Sequence, residues 1–412
     1  MKNQTMKKET DYLLPFLTMV FLFLVIGFMT TANSQFQGPL KEAFLSGAGG
    51  HRNAMATLIT FSWFLAYPLC GPPASRRVDR CGYKSTLLMG LVTMVAGLLL
   101  FFLSSLFTSN LKLGFAVFLL GSFTVGASAT ILQVVINPYL SACSIRVTQP
   151  IQRLAIGGTA NSIGTAVAPY FVAGVVFGGA QMTEVSVSQI TVPFLVMAAV
   201  MALVLFLLAR IPLPDIENTR AADGEKLERG IWSFRHLTLG VIAIFFYVGA
   251  EVCVGANINM HALETGFAQP ALLATIYWTC MLVGRAACSL LNRVPPRTQL
   301  VFTSSAALLL LAAAVVFDSL WALAFTGLFH SIMWGAIYTL SIRHLGKYTS
   351  AASGIFMTGV VGGAVFPLLQ GVLADVFGGW RLTWIAVMAC ESYILFYALR
   401  GSRVREADIE SE

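Results

Sequence analysis

The chain has 412 residues, of which 57% are apolar and only 11% are charged, with a formal net charge of +7 and a mean hydropathy of +0.77. A typical soluble domain has about 25% charged residues, so this composition excludes a water-soluble globular protein. The basic residues are spread along the predicted loops, which excludes nucleic acid as a partner. The seven cysteines are odd in number and most lie in apolar runs, so we expect free thiols and no disulfide framework.

Twelve apolar runs divide the chain. A helix needs about 20 apolar residues to cross a bilayer, and an open sheet at that depth would leave costly unpaired amides. The first run is too long for a cleavable signal peptide and contains Pro15. The sequence therefore predicts an all-α membrane protein with twelve transmembrane helices, at 13–38, 54–74, 84–107, 113–141, 152–178, 190–211, 234–262, 270–291, 298–317, 319–342, 350–376 and 382–400.

Lysine and arginine are divided unequally between alternate loops. With the amino terminus inside, 21 of them fall on the cytoplasmic side and four on the other side, and Arg285 is placed near a membrane face. Cytoplasmic loops of membrane proteins are enriched in Lys and Arg. The count therefore predicts that both termini are cytoplasmic.

One long polar segment, 212–233, interrupts the apolar runs. It has mixed charge, two prolines and no apolar periodicity, which is typical of a linker. The predicted organisation is a cytoplasmic tail, a six-helix bundle, this linker, a second six-helix bundle and a second cytoplasmic tail, at 1–12, 13–211, 212–233, 234–400 and 401–412.

The two halves share a short pattern of glycine and basic residues. It occurs after the second span and after the eighth, at a constant offset of 213 positions. Two six-span repeats in the same orientation are typical of secondary transporters, whose substrate site lies between the repeats near the middle of the membrane. The matched residues are Gly71, Arg80 and Lys84 in the first half, and Gly284, Arg293 and Arg297 in the second.

The segment Asp79–Lys84 resembles the signature that follows the second span in the major facilitator superfamily. Within that superfamily, four other stretches resemble the L-fucose:proton symporter family, particularly its glucose/galactose transporter branch. The resemblance implies two pseudo-symmetric six-helix bundles, sugar uptake by alternating access and a place in a bacterial inner (plasma) membrane. The four stretches are Gly27–Asn33, Leu132–Tyr139, Asn161–Pro169 and Tyr247–Glu251.

Acidic side chains inside the predicted spans are candidates for ion coupling, because an unpaired charge in the bilayer is costly. Of the nineteen acids, only Glu251 and Glu391 lie well inside spans. Tyr247 stands one turn before Glu251, on the same face, and we interpret the two as a coupling site. The alternative is a buried acid bonded to a hydroxyl, with a structural role alone. Glu391 lies in the twelfth span, which is usually peripheral in this fold, and we interpret it as a shielded or neutral acid.

The resemblance also raises a question about coupling. Proton-driven fucose symporters have one acid in the first span and one in the fourth, and those places are Ser34 and Gln133 in this chain. Neither side chain can change its charge. Proton coupling would therefore rest on Glu251 alone; a coupling sodium ion, or no coupling, are the alternatives.

Amide side chains are the best candidates for sugar binding, because an amide both donates and accepts hydrogen bonds, as a sugar hydroxyl does. Five lie in spans 1, 4 and 5: Asn33, Gln37, Gln133, Asn137 and Asn161. Hydrogen bonding between helices is the alternative role for such groups.

Aromatic residues add a second feature of the predicted sugar site. His330, Trp334 and Tyr338 follow each other at steps of four in span 10, so they share a face on which a pyranose ring could stack. Trp278 and Asn257 are further candidates, in the wall and at the entrance of the pocket. Ordinary helix packing is the alternative for each.

Charged residues of the loop between spans 2 and 3 form a candidate gate. A carboxylate there can bind the positive end of a neighbouring helix, and basic side chains of both halves can bind the carboxylate. The predicted gating residues are Asp79, Arg80, Lys84 and Arg293. The alternative is an ordinary positively charged cytoplasmic loop, which accounts for the bases but not for the acid.

Together these features predict a secondary transporter that imports a neutral monosaccharide, coupled to a cation and without a cofactor or metal. The sequence contains no zinc-protease, serine-hydrolase or phosphate-loop motif, so we do not expect an enzyme. A drug exporter, an uncoupled sugar facilitator and a nutrient sensor on the same fold remain the alternatives.

Overall fold

The structure is a computed structural model. It describes residues 13–45, 49–143, 150–179, 186–211, 213, 229–289, 294–345 and 348–409. Those residues are predominantly helical and contain no strand, as the all-α prediction requires. The predicted tail 1–12 and most of the predicted linker 212–233 lie outside the described residues.

Within the described ranges, twelve helices are long and apolar enough to cross a membrane, which confirms the predicted number. We number them spans 1 to 12 in chain order. They are Leu13–Gln35, Arg52–Val78, Arg80–Ser104, Leu111–Leu140, Ile156–Val176, Val187–Arg210, Arg235–Glu264, Pro270–Ala287, Pro296–Phe317, Leu320–Ser341, Gly354–Phe377 and Arg381–Gly401.

Several spans are parts of longer or composite helices. Span 4 extends to Ala142, span 5 begins at Pro150 and ends in a π-helical turn, and span 8 extends to Ser289. A further short helix, Gln37–Leu45, follows span 1. Span 11 joins two helices through the 3₁₀ turn Gly359–Val361.

The connection between spans 2 and 3 differs from the predicted loop. The helices of spans 2 and 3 follow each other at a kink between Arg52 and Ser104, and only Gly82 within this range departs from helical geometry, with φ 78° and ψ 171°. A positive φ costs glycine little because it has no Cβ. One glycine therefore provides the break for which the sequence predicted a longer loop.

Twelve crossings return the chain to the face from which it started. We call this the terminal face, because span 1 begins and span 12 ends there, and we call the opposite face the distal face. The last helical turn, Glu406–Asp408, packs back on the protein at the terminal face, where Asp408 forms an ion pair with Arg229 at 2.9 Å.

Contacts between the two halves run mainly along two helix pairs. Span 2 packs along span 11, and span 5 packs along span 8; span 1 also touches span 7. Small residues permit such approaches within each half as well: a Cβ at Gly27 would lie 2.2 Å from the Asn161 carbonyl oxygen. The helices that bear most of the predicted site residues are therefore held at close range.

Candidate functional site

Two amides of the predicted sugar site connect the segment around the end of span 1 to span 2. The Asn33 amide donates to the Ile59 carbonyl at 3.3 Å, and the Gln37 amide donates to the Thr60 hydroxyl. Both side chains are buried, and the amide oxygen of each has no hydrogen-bond partner among the described residues. Each residue thus contributes to helix packing and keeps one unused acceptor.

Two amides of span 4 are more accessible. Gln133 and Asn137 are both half-buried. Gln133 donates to the Tyr67 hydroxyl of span 2 at 2.9 Å, and Tyr67 stacks on Phe64 with ring centroids 5.7 Å apart. This group combines an amide, a hydroxyl and aromatic faces, which are the kinds of contact that a neutral sugar uses.

Asn161 of span 5 is half-buried and donates to the Phe23 carbonyl of span 1 at 3.0 Å. Its neighbour Ser162 points to the other half of the protein, where its hydroxyl accepts a hydrogen bond from the Arg285 guanidinium of span 8. The polar segment of span 5 therefore connects span 1 to span 8.

Arg285 lies near the end of span 8, and its guanidinium reaches residues of other spans. The guanidinium lies 3.9 Å from a carboxylate oxygen of Glu251 and donates to the Ser331 carbonyl at 3.3 Å. The sequence predicts a place near a membrane face from the distance to the end of span 8, and it indicates no partner. The long side chain of Arg285 extends to an acid halfway along span 7.

The Glu251–Arg285 contact is partly open to its surroundings. The side chain of Arg285 is 35% exposed and that of Glu251 is 15% exposed. The Tyr247 hydroxyl, one turn before Glu251 on span 7, lies near that acid. It donates its proton to the His330 carbonyl at 2.9 Å. A titratable acid, a fixed cation and a hydroxyl thus meet at the interface between the two halves.

His330 and Glu391 form a buried pair behind this contact. The imidazole Nε2 lies 3.1 Å from a Glu391 carboxyl oxygen, and both side chains are fully buried. Tyr277 of span 8 bonds to the imidazole Nδ1 at 2.8 Å and to the Glu251 carbonyl at 3.1 Å. His330 therefore faces the acid of span 12 and is not on an open surface with the other aromatic residues of span 10.

Trp334 and Tyr338 do share one surface. Their rings stack with centroids 5.4 Å apart and planes 13° apart, and Phe356 of span 11 packs edge-on against both. Trp334 is 36% exposed. This gives a flat aromatic surface of the kind that the sequence predicts for a sugar.

The other two candidates take part in packing within the second half. Trp278 packs against Gly255, where a Cβ would lie 2.3 Å from the indole ring. Asn257 is buried and donates to the Gln370 amide oxygen at 2.9 Å. Asn257 therefore connects span 7 to span 11.

The predicted gate at the terminal face can be described only in part. Arg80 is exposed and Lys84 is half-buried. The side chain of Asp79, and Arg293 as a whole, lie outside the described residues. The gating role of these four residues stays a prediction.

Contacts between the halves at the distal face were not predicted. Gln35, at the end of span 1, donates to the Gly255 carbonyl of span 7 at 3.0 Å, and its amide oxygen accepts a hydrogen bond from Asn259. Asp375, near the end of span 11, accepts hydrogen bonds from the first amides of span 2. The halves are therefore joined on this side.

Comparison with known proteins shows relatives along nearly the whole chain. The profile of the Major Facilitator Superfamily matches residues 20–360. The glucose/galactose transporter of Brucella abortus is 32% identical over 406 residues, which cover 96% of each chain. The L-fucose-proton symporter of Escherichia coli is 23% identical over 429 residues, which cover 95% of this chain and 94% of the relative.

Solved structures show the same fold. The crystal structure of the E. coli fucose:proton symporter has a TM-score of 0.67 at 21% identity, covering 95% of this chain and 100% of that one. The inward-open xylose transporter XylE from E. coli has a TM-score of 0.74 at 12% identity, and the match covers 97% of this chain and 98% of that one. The arrangement of twelve spans is therefore that of a transporter fold.

Proposed function

Because this chain belongs to the Major Facilitator Superfamily, we propose that it imports a neutral monosaccharide by alternating access, coupled to proton movement at Glu251. The relatives are transporters named for glucose and galactose or for L-fucose with protons. A hexose, a deoxyhexose or an amino sugar is the proposed class of substrate. The proposed partners are the sugar, the coupling proton and the lipid bilayer.

The contact of Glu251 with Arg285 carries the proposal. Arg285 is attracted to Glu251 only while the acid is ionised, and it bonds at the same time to Ser162 in the other half of the protein. Protonation of Glu251 removes the charge that holds Arg285 in this position. A change of protonation in span 7 can therefore alter a contact between the halves, which is what coupling requires.

The substrate class is supported by uncharged polar and aromatic side chains that are partly accessible. Gln133 and Asn137 offer half-buried amides, and Trp334 with Tyr338 offers a stacked aromatic surface. Amides can donate hydrogen bonds to sugar hydroxyls and accept hydrogen bonds from them, while the carbon–hydrogen face of a pyranose packs on an aromatic ring. Neither interaction needs a charge on the substrate.

The orientation follows from the distribution of basic residues. The terminal face has the excess of Lys and Arg, so we place it in the cytoplasm and the distal face outside the cell. The contacts of Gln35 and Asp375 then join the two halves on the outer side of the protein. We place the chain in the inner membrane of a bacterial cell.

An uncoupled sugar facilitator is the second candidate function. Ser34 and Gln133 stand where the fucose symporters have acids, so no titratable group is available at those two positions. This candidate differs from the first only in the role of Glu251.

Counterflow in proteoliposomes tests both. The purified full chain is assayed with labelled glucose, galactose, fucose and N-acetylglucosamine, with and without a pH gradient. Exchange of at least one sugar, with accumulation only under the gradient, is expected; absence of exchange for every sugar would contradict the substrate class.

Glu251→Gln tests the coupling. This variant should keep exchange and lose accumulation. Accumulation that Glu251→Gln leaves unchanged would favour another coupling site, and a protein that never accumulates sugar would be a facilitator.

A further inference from the structure

The His330–Glu391 pair has an incomplete set of hydrogen bonds. Both side chains are 0% exposed. Apart from the 3.1 Å contact with His330 Nε2, neither carboxyl oxygen of Glu391 is hydrogen-bonded within the described part of the chain. An ionised carboxylate with a single polar neighbour is costly to bury. The carboxyl group must therefore be neutralised, either by its own proton or by a protonated imidazole.

The contacts of Tyr277 place one proton on His330 Nδ1, so that Nε2 is the nitrogen that faces the acid. Its hydroxyl contacts the Glu251 carbonyl at 3.1 Å and His330 Nδ1 at 2.8 Å. A tyrosine hydroxyl has one proton, and a carbonyl can only accept. Both contacts are satisfied together when the hydroxyl donates to the carbonyl and Nδ1–H donates to the hydroxyl oxygen. Nε2 then forms its contact with Glu391 through one further proton.

That proton has two possible positions with the same total charge. It lies on the Glu391 carboxyl opposite a neutral imidazole, or on Nε2 opposite a carboxylate. Removal of the proton leaves a lone pair facing a buried anion, which would separate the two groups. The geometry of the pair, and through Tyr277 a hydrogen bond to the Glu251 backbone carbonyl, therefore depends on one bound proton.

The titratable and charged groups nearest the pair lie on spans 7 and 8 and on span 12 itself. Span 9, which packs on spans 10 and 12, contributes only Arg297 at its terminal-face end. Among the groups near the pair, Glu251 and Arg285 alone are partly exposed. These groups are Tyr247, Glu251 and Cys253 of span 7, Tyr277 and Arg285 of span 8, and Cys390 of span 12.

We propose that His330 and Glu391 form a second proton-binding site, occupied in this conformation, whose proton maintains the hydrogen bond from Tyr277 to the Glu251 backbone carbonyl. The proposal rests on the proposed role of Glu251 in coupling. It assigns both proton sites to the second half of the chain, whereas the positions of the family acids in the first half are Ser34 and Gln133.

Spectroscopy of the full chain in liposomes without sugar tests the site itself. Infrared spectra over a pH titration should contain a protonated carboxyl band that is lost in Glu391→Gln and kept in Glu251→Gln. If the proton lies on the imidazole, nitrogen-15 histidine spectra of the unchanged protein should contain an imidazolium signal that is lost in His330→Gln. Absence of both signals at neutral pH would overturn the proposal. The titration of the unchanged protein requires no variant to fold.

The pH profile of sugar counterflow tests the role of the site. The amide introduced by Glu391→Gln would donate to Nε2 at every pH, so this variant should keep its exchange at alkaline pH, where the unchanged protein loses exchange. A purely structural role would change the rate equally at all pH values, and that result contradicts the proposal. Because the spectra need no sugar, failure of the sugar assay alone would count against the proposed function and not against the site.

Discussion

Asp375 in span 11 accepts a hydrogen bond of 2.8 Å from the backbone amide of Ala54, the third residue of span 2. Its other carboxylate oxygen accepts from the Asn53 amide at 3.1 Å. The first amides of a helix lack partners within the helix and form its positive end. An acid of one half therefore caps a helix of the other half at the distal face.

Removal of this cap should open the distal face. Asp375→Ala loses both hydrogen bonds, and loss of an N-terminal cap costs about 1 kcal/mol, or about a fivefold change in the ratio of closed to open protein. Spin labels at Lys112 and Gln269, which are exposed near the distal ends of the two halves, should show a larger population of long distances.

Glu42→Ala is the matched control for Asp375→Ala. Glu42 pairs with Arg52 at 2.8 Å on the same face, but both residues belong to the first half. We expect the distances between the two spin labels in Glu42→Ala to match those in the unchanged protein. If both variants opened the face equally, a general loss of distal charge would explain the effect better than the cap.

Gln35 and Asn259 should contribute to the same closure as a coupled pair. Gln35 bonds to both Asn259 and the Gly255 carbonyl, so either single change to Ala leaves polar groups without a partner. Such buried hydrogen bonds contribute about 1 kcal/mol each. In a double-mutant cycle on the same spin-label distances, the two changes should be non-additive by about that amount. Strict additivity would show that the two side chains act independently.

Arg285 should be required for exchange only while residue 251 is an acid. Arg285→Met leaves an acid without its cation. Because this pair is partly exposed, the cost should be lower than the about 3–5 kcal/mol of fully buried pairs, and counterflow should fall by about tenfold. Adding Glu251→Gln removes the unpaired charge and should restore exchange without restoring accumulation. The rates of the two single variants and the double variant are compared in the same liposomes. A double variant no better than Arg285→Met would contradict this account of the pair.

Apolar run length allowed all twelve spans to be predicted, because each helix must be long and apolar whatever its neighbours are. The same reasoning located Glu251 inside span 7 with Tyr247 one turn before it, while the coupling role of the two stays a prediction. It could not identify the contacts of Arg285 and Asp375, whose partners lie on other helices. Asp375 and Ala54 are 321 positions apart, and no local pattern links them. Contacts of this kind depend on how the halves pack.

The stacked surface of Trp334 and Tyr338 should contribute to sugar affinity. The two rings lie 5.4 Å apart, and Trp334 is 36% exposed. Aromatic stacking contributes about 0.5–1.5 kcal/mol beyond the area that it buries, so Trp334→Ala should raise the KM for sugar by up to about tenfold. Trp334→Phe keeps an aromatic face and should have a smaller effect.

Trp321→Ala is the control for Trp334→Ala, since Trp321 is 44% exposed at the distal start of the same span and stacks on Phe325. An equal rise in KM for Trp321→Ala would mean that the effect is on the helix and not on the sugar.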